Sequence, residues 1–411
     1  MTAGPGAKLL RPPTSAGRAT FLELFFDLAF VVALTQVSRR FAELGDETGW
    51  ALVSGFGRTL LLFLALWLIW SHTAWITSRY EPERSLIQAV VVGTMFAGLV
   101  MAVALPRAME ERALPFAVAY LSVMVVRPLV IAVALRGHPR RLVPFRLAVW
   151  ATASAPLWLA GALGPDRLLP AWWAVALGVD YLAWILGWPL PRLGASSVGR
   201  WRIAGVHLAD RYQQMILIAL GESILLIGIV FGGVDYSAER VAAFVVAFVT
   251  SALLWRIYFY RAGLLLPDAL SRAGMPGRLG TASERTHLLI VLSVLVTAVG
   301  YELVIDHPYG SPRPSWLLFV VGGPALFLVA RMRLEYEIFG RVSRALVIGL
   351  AALLLLTPAL FRWTSMAGLS VVAGVLALVA LLDALRRRGR PLEVPAPAVG
   401  REPSDRDDSE A

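Results

Sequence analysis

Apolar residues in this chain run in blocks of about 20, each closed by a cluster of Pro, Gly, Arg or Asp. That length is what an α-helix needs to cross the hydrocarbon core of a bilayer. Reading apolar blocks against breakers predicts helices at 20–41, 51–77, 84–105, 113–135, 141–163 and 169–190. A second set follows at 207–230, 239–261, 283–305, 315–332, 343–361 and 365–385. The expected fold class is all-α: a polytopic integral membrane helical bundle of about 12 transmembrane helices. The expected organisation is an N-terminal segment 1–19, a first membrane half 20–190, a linker 191–206, a second half 207–385 and a tail 386–411. The tail is Pro-rich and finally acidic, with too little apolar content to fold, and is expected to be disordered.

Composition agrees with lipid as the outer solvent. The chain is 58% hydrophobic and 16% charged, where a soluble domain carries about a quarter charged residues. Trp50, Trp172, Trp173, Trp316 and Trp363 fall near block ends, at the depth where amphipathic rings favour the interface. The first 19 residues hold no long apolar run and no small-residue cleavage site. The first helix is therefore expected to serve as the membrane signal and to stay.

The net charge of +10 would suggest nucleic acid in a soluble protein. Here it follows a topology instead. With the N-terminus inside and the spans alternating, cytoplasmic segments hold 26 of the 38 Arg and Lys, outside loops hold 8, and 4 fall within spans. That asymmetry is the positive-inside pattern. It predicts an inner-membrane protein with both termini cytoplasmic and anionic lipids as neighbours. No nucleic-acid partner is expected.

The blocks also hint at a repeat. Ala33-Leu34-Thr35-Gln36 resembles Ala219-Leu220-Gly221-Glu222, each with an acid upstream. Pro156 lies 72 residues beyond Arg84, and Pro358 lies 73 beyond Arg285. Two six-helix halves of the same topology are expected, placing Gln36 and Glu222 at corresponding depths.

An ionised side chain within a bilayer is costly, so intramembrane polar residues carry the functional signal. Glu23 and Asp27 are one turn apart on one helix face. As a buried like-charged pair they would share a proton or bind a cation or Arg; alternatively, both simply favour a helix N-terminus at the interface. His207, Asp210 and Arg211 lead to Glu222, which lies well inside its block; Glu23, Asp27, Gln36, His72, Asp210, Arg211 and Glu222 are the candidate ligand or proton/cation-binding residues. Glu222 is the carboxylate hardest to dismiss as interfacial, and reads as a proton carrier, a cation ligand or the partner of an intramembrane Arg. His72 follows Trp70-Ser71 and reads as a snorkelling or headgroup-bonding residue. Arg127, Asp180 and Arg256 are taken as structural charges, with Arg127 and Asp180 placed to neutralise each other.

Several chemistries find no support in the sequence. With no cysteine, disulfides and thiolate sites are excluded. No His pair has metal-ligand spacing, and there is no phosphate-binding P-loop, dinucleotide fingerprint or nucleophile elbow. No metal and no cofactor are expected. Gly322-Gly323-Pro324 reads as close packing or a kink, with a broken transporter-type helix as the alternative.

Two motifs carry a resemblance. Glu23-Leu-Phe-Phe-Asp27-Leu-Ala-Phe, running on to Gln36, and His207-Leu-Ala-Asp-Arg211, leading to Ala-Leu-Gly-Glu222-Ser223, resemble the bacterial low temperature requirement protein A family in order and spacing. The similarity extends over roughly residues 18–385. The family more usually has Glu where Asp210 stands, and an apolar pair where Gln213-Gln214 stand. The resemblance implies a multi-pass bacterial membrane protein and supplies no substrate.

Three functions stay open on this reading. The leading one is a secondary transporter or permease coupled to protons or cations through Glu23, Asp27 and Glu222, with a small-molecule or ion ligand. The second is a non-transporting sensor or scaffold for cold or envelope adaptation. The third is an intramembrane lipid-modifying enzyme using His72 with Glu23 or Asp27. A polar cavity reaching Glu222 would favour the first, a solid bundle the second and a groove ending at His72 the third. Oligomeric state is not legible.

Overall fold

The computed structural model describes residues 9–11, 18–196, 204–310, 313–389 and 393–399. Most of the N-terminal segment and of the tail, and residues 197–203 of the linker, therefore fall outside the described residues. The helices are α1 Phe21–Ala42, α2 Gly49–Arg79, α3 Ser85–Ala104, α4 Ala113–Leu121, α5 Arg127–Ala134, α6 Leu142–Leu163, α7 Leu169–Leu186 and α8 Gly205–Gly232. They continue as α9 Ala238–Phe259, α10 Ala262–Arg272, α11 Pro276–Asp306, α12 Pro314–Leu317, α13 Gly323–Phe339, α14 Arg344–Leu360 and α15 Ser365–Arg387. Among the described residues there is no strand, only isolated bridges such as Leu10–Tyr80. Lipid cannot satisfy backbone N–H and C=O groups, and helices satisfy their own.

Eleven helical stretches among the described residues are long and apolar enough to span a membrane. The segment expected at 343–361 is present as α14, whose 17 residues fall short of the others. At 1.5 Å per residue it reaches about 25 Å, against about 30 Å of hydrocarbon. Other helices run longer than hydropathy suggests. α2 and α11 have 31 residues each: α2 runs on through the buried Ser78 to Arg79, and α11 starts at Pro276, ahead of the 283 expected, with Leu279 and Gly280 buried. The amphipathic α10 adds a helix to the connection expected at 262–282, burying Leu265, Leu266, Ala269 and Leu270.

The chain divides into two compact units, one of residues 1–37 and 57–208, the other of 38–56 and 209–411. In the first unit α2 buries nearly every residue from Leu61 to Ser78, and α6 packs on α4, α5 and α7. In the second, α11 is the core helix, 78% buried over its apolar window. It packs most extensively on α13, while α15 packs on α9 and α14. Between helices in lipid the hydrophobic effect gives little, so close packing of small residues matters more. A Cβ on Gly300 would lie 3.1 Å from the Val320 backbone, and one on Gly323 would lie 2.7 Å from the Thr297 backbone nitrogen.

Two spans carry a π-helical turn, at Ser122–Val126 before α5 and at Leu318–Gly322 before α13. Each is followed by a proline one residue into the next helix, Pro128 and Pro324. Proline has no N–H for the preceding turn and clashes with its carbonyl, so the helix widens there. Gly322-Gly323-Pro324 thus marks a bulge and a close crossing, and the span continues through it. Of the C-terminal residues, Ala396 and Ala398 donate their N–H groups to the carbonyls of Ile338 and Glu337. Those carbonyls close α13 and have no partner within the helix.

Candidate functional site

In the first unit, α1 begins after Thr20, whose N–H and hydroxyl both donate to Glu23 Oε2, at 2.8 and 2.9 Å. This is the reach-back half of a capping box. The interfacial, helix-starting role considered for Glu23 is therefore present, yet the residue is fully buried. His207 Nε2 lies 2.9 and 3.0 Å from its two carboxylate oxygens. Ser78 Oγ, at the end of α2, lies 2.9 Å from His207 Nδ1 and donates to the Ala74 carbonyl at 2.8 Å. With its one proton on that carbonyl, the hydroxyl accepts from Nδ1–H, and the Nε2 edge faces Glu23.

Asp27, also fully buried, accepts from Trp70 Nε1 at 2.9 Å. The two acids thus take different partners instead of facing each other as a like-charged pair. Gln36, two turns further along α1, is half-buried.

Arg127 and Asp180 do not pair. Asp180 accepts from Ser154 at 2.7 Å, Tyr120 at 2.8 Å and Trp158 at 3.2 Å. Arg127 gives Nη1 to Thr73 Oγ1 at 2.8 Å. Three neutral donors leave the carboxylate no need of a guanidinium. His72 stacks on Trp184, ring centroids 4.5 Å apart, and neither nitrogen has a hydrogen-bond partner among the described residues. It meets neither Glu23 nor Asp27, so the acid–base pair expected of a lipid-modifying enzyme is not assembled.

In the second unit, Glu222 is 1% exposed, ten residues before α8 ends at Gly232. Both of its oxygens lack a hydrogen-bond partner among the described residues. Its surroundings are polar. The Ser38 hydroxyl is its hydrogen-bonding neighbour, outside ideal geometry, and the Glu302 carboxyl lies close by. The adjacent Ser223 hydroxyl meets Ser251 Oγ at 3.1 Å, and Ser251 donates to Tyr301 Oη at 3.4 Å. The carboxyl of Glu222 thus has Ser38 of α1 and Glu302 of α11 as polar neighbours, and the hydroxyl chain of Ser223, Ser251 and Tyr301 joins α8, α9 and α11 beside it in sequence. Among the described residues, no group of three or more side chains is arranged to hold a metal.

Other polar residues of α8 lie upstream. Arg211 is fully buried and reaches Gln214 at 3.3 Å. Gln213 donates to the Gly263 carbonyl at 2.7 Å, tying α8 to α10. Asp210 is half-buried. Arg256 is in the last turn of α9, over the Tyr260 ring at 3.3 Å, within the candidate span Ala238–Arg272.

Sequence reading missed a polar cluster where α11 begins and α13 ends. Arg261 pairs with Glu335 and Glu393. Arg331, 1% exposed, donates to the Ile257 carbonyl at 3.0 Å. Glu337 accepts from Thr286 at 2.7 Å and from Arg333 at 3.1 Å. His287 is held between the Ser283 carbonyl and Tyr258 Oη, at 2.6 and 2.7 Å. The spacing of Arg331 to Glu335 and Arg333 to Glu337, four residues each, was the available signal. It was lost because hydropathy ends that span at 332.

These features define a multi-pass α-helical membrane protein in which Glu23, Asp27 and Asp180 have direct hydrogen-bond donors, while the buried Glu222 has none in good geometry among the described residues. The chain belongs to the bacterial low temperature requirement A family: the model of the "Bacterial low temperature requirement A protein (LtrA)" matches residues 18–381. A protein of Rhizobium meliloti (strain 1021), described only as uncharacterized, is 35% identical over 332 residues, covering 79% of this chain and 78% of that one.

Proposed function

We propose that this chain is a secondary transporter of the inner membrane, coupled to protons or a monovalent cation through Glu222. The observation that carries the reading is Glu222 itself. A carboxylate buried in a membrane span without a hydrogen-bond partner is expensive, and such residues mark ion and proton paths by default. Ser38 supplies a neutral oxygen beside Glu222, which suits transient occupancy by a proton or a hard cation. Glu23 is assigned to structure, since His207 and Thr20 already satisfy it, and Asp27 is anchored by Trp70.

The topology proposed with it has twelve spans, α14 included, in two six-helix halves with both termini cytoplasmic. The excess of Arg on one side supports the orientation. The matched π-turns before Pro128 and Pro324 support the repeat, since each falls in the fourth span of its half. In the proposed cycle the halves alternate access to Glu222.

The test is a titration of purified protein by infrared difference spectroscopy, run beside a ligand screen by thermal shift. Wild type is expected to show a carboxyl band that Glu222→Gln removes, together with a ligand whose binding depends on pH only in wild type. A folded Glu222→Gln variant with an unchanged carboxyl spectrum and unchanged pH dependence would refute the reading.

A further inference from the structure

We propose that the first unit holds a binding site for an anionic amphiphile, with its oxyanion headgroup on Arg127 and His72 and its tail along α5 and α6. A cleft with an enclosed volume of about 50 Å³, opening outward, lies among α2, α5, α6 and α7. Its ionisable lining groups are His72, Arg79, Tyr80 and Arg127, and no carboxylate lines it. The lining thus selects for negative charge.

Two of these groups are buried and unfilled. Arg127 is 4% exposed and His72 is 3% exposed. Arg127 Nε and Nη2, and both nitrogens of His72, have no hydrogen-bond partner among the described residues. Buried donors left unmade cost free energy, so such a set calls for an occupant. Nη1 is already committed to Thr73. The vacant pair, Nε and Nη2, is the edge of the guanidinium whose two parallel N–H groups grip a carboxylate or phosphate. The His72 ring lies tilted over Trp184 at 4.5 Å and meets Trp188 edge-on at 6.1 Å, so one ring N–H can add a third donor.

The rest of the wall is apolar, including Ile76, Ile131 and Leu147. A bare inorganic anion would leave that surface uncovered. The mouth lies at helix ends: Arg79 closes α2, Val143 and Pro144 open α6, and Trp188 follows α7. Arg and Trp at helix ends mark headgroup depth. A second lateral groove, walled by α3 and the Ser122–Val126 turn with Val90, Gly93 and Val126, also ends at Arg127. Two apolar openings converging on one guanidinium suit a headgroup that carries acyl chains. The shared chemistry is an oxyanion on an apolar tail, which a phospholipid phosphate or a free fatty acid could supply. The proposal uses no group of the Glu222 site, so either can fail alone.

The test is calorimetric binding to the delipidated full chain in a neutral detergent. The probes are dihexanoylphosphatidylglycerol, laurate, neutral monolaurin and inorganic phosphate. Saturable binding of the phosphatidylglycerol or of laurate is expected, at least roughly tenfold tighter than monolaurin or phosphate. A response to the first identifies a phospholipid, and a response to laurate identifies a fatty acid. Arg127→Gln should weaken it about tenfold, and Leu147→Trp, on a half-exposed position, should block the cavity. If Arg127→Gln does not fold, Leu147→Trp decides. Equal binding of monolaurin or phosphate, binding of none of the probes, or unchanged affinity in the folded variants would overturn the proposal.

Discussion

His207 Nε2 lies 2.9 Å from Glu23 Oε1, with both side chains fully buried. The two residues are 184 positions apart, so this contact ties the beginning of α1 to the beginning of α8. Removing one member of a buried charged pair leaves the other uncompensated. His207→Phe is expected to cost about 3 kcal/mol. Glu23→Gln should cost less, about 1 kcal/mol, because the amide oxygen still accepts from Thr20. Combined, the two changes should cost less than their sum by about 1–2 kcal/mol. Unfolding by SDS in mixed micelles measures all three variants, and strict additivity would mean that the pair is not coupled.

Asp180 offers a graded case. Tyr120→Phe removes one of its three donors and is expected to cost about 1 kcal/mol. Asp180→Ala strands the Tyr120, Ser154 and Trp158 donors together and should cost about 3 kcal/mol or more. Because Arg127 is not its partner, Arg127→Gln should add to Asp180→Asn without coupling. A coupling above about 0.5 kcal/mol in the same unfolding assay would show that the two charges communicate after all.

Gly323 tests the packing of α13 on α11. A Cβ there would meet Thr297 backbone atoms at 2.7 and 2.9 Å, whereas one on Gly374 meets nothing within 4 Å. Gly323→Ala should destabilise by about 1–3 kcal/mol through overpacking. Gly374→Ala should be neutral or slightly stabilising, by up to about 1 kcal/mol. Thermal melts of the two variants in one detergent make the comparison, and equal melting temperatures would mean that the crossing is loose.

Much of the helical layout was legible in the sequence because spanning helices need long apolar runs, and such runs are visible without partners. The ends were less legible. Glu284, Arg331, Glu335 and Glu337 lie in helices that hydropathy closes early, since their cost is offset by partners elsewhere in the chain. The same reason separates the good and bad parts of the site reading. Glu222 stood out because its depth follows from its own block. The partners of Glu23, Asp27 and Asp180 are a His, two Trp, a Ser and a Tyr on other helices, which spacing along one helix cannot reveal. Arg127 and Asp180 have opposite charges near the middles of two spans, and neutral donors reach Asp180 first. His72 looked interfacial from sequence, while the fold buries it beside Arg127.

Transport by way of Glu222 is tested most directly in proteoliposomes. The measurement is uptake of the strongest thermal-shift ligand under an imposed proton gradient, in wild type and in folded Glu222→Gln protein. Wild type is expected to accumulate the ligand above its external concentration and to stop when an ionophore collapses the gradient. Glu222→Gln is expected to bind the ligand but not to concentrate it. Uptake by Glu222→Gln equal to wild type, or no accumulation by wild type, would contradict the account.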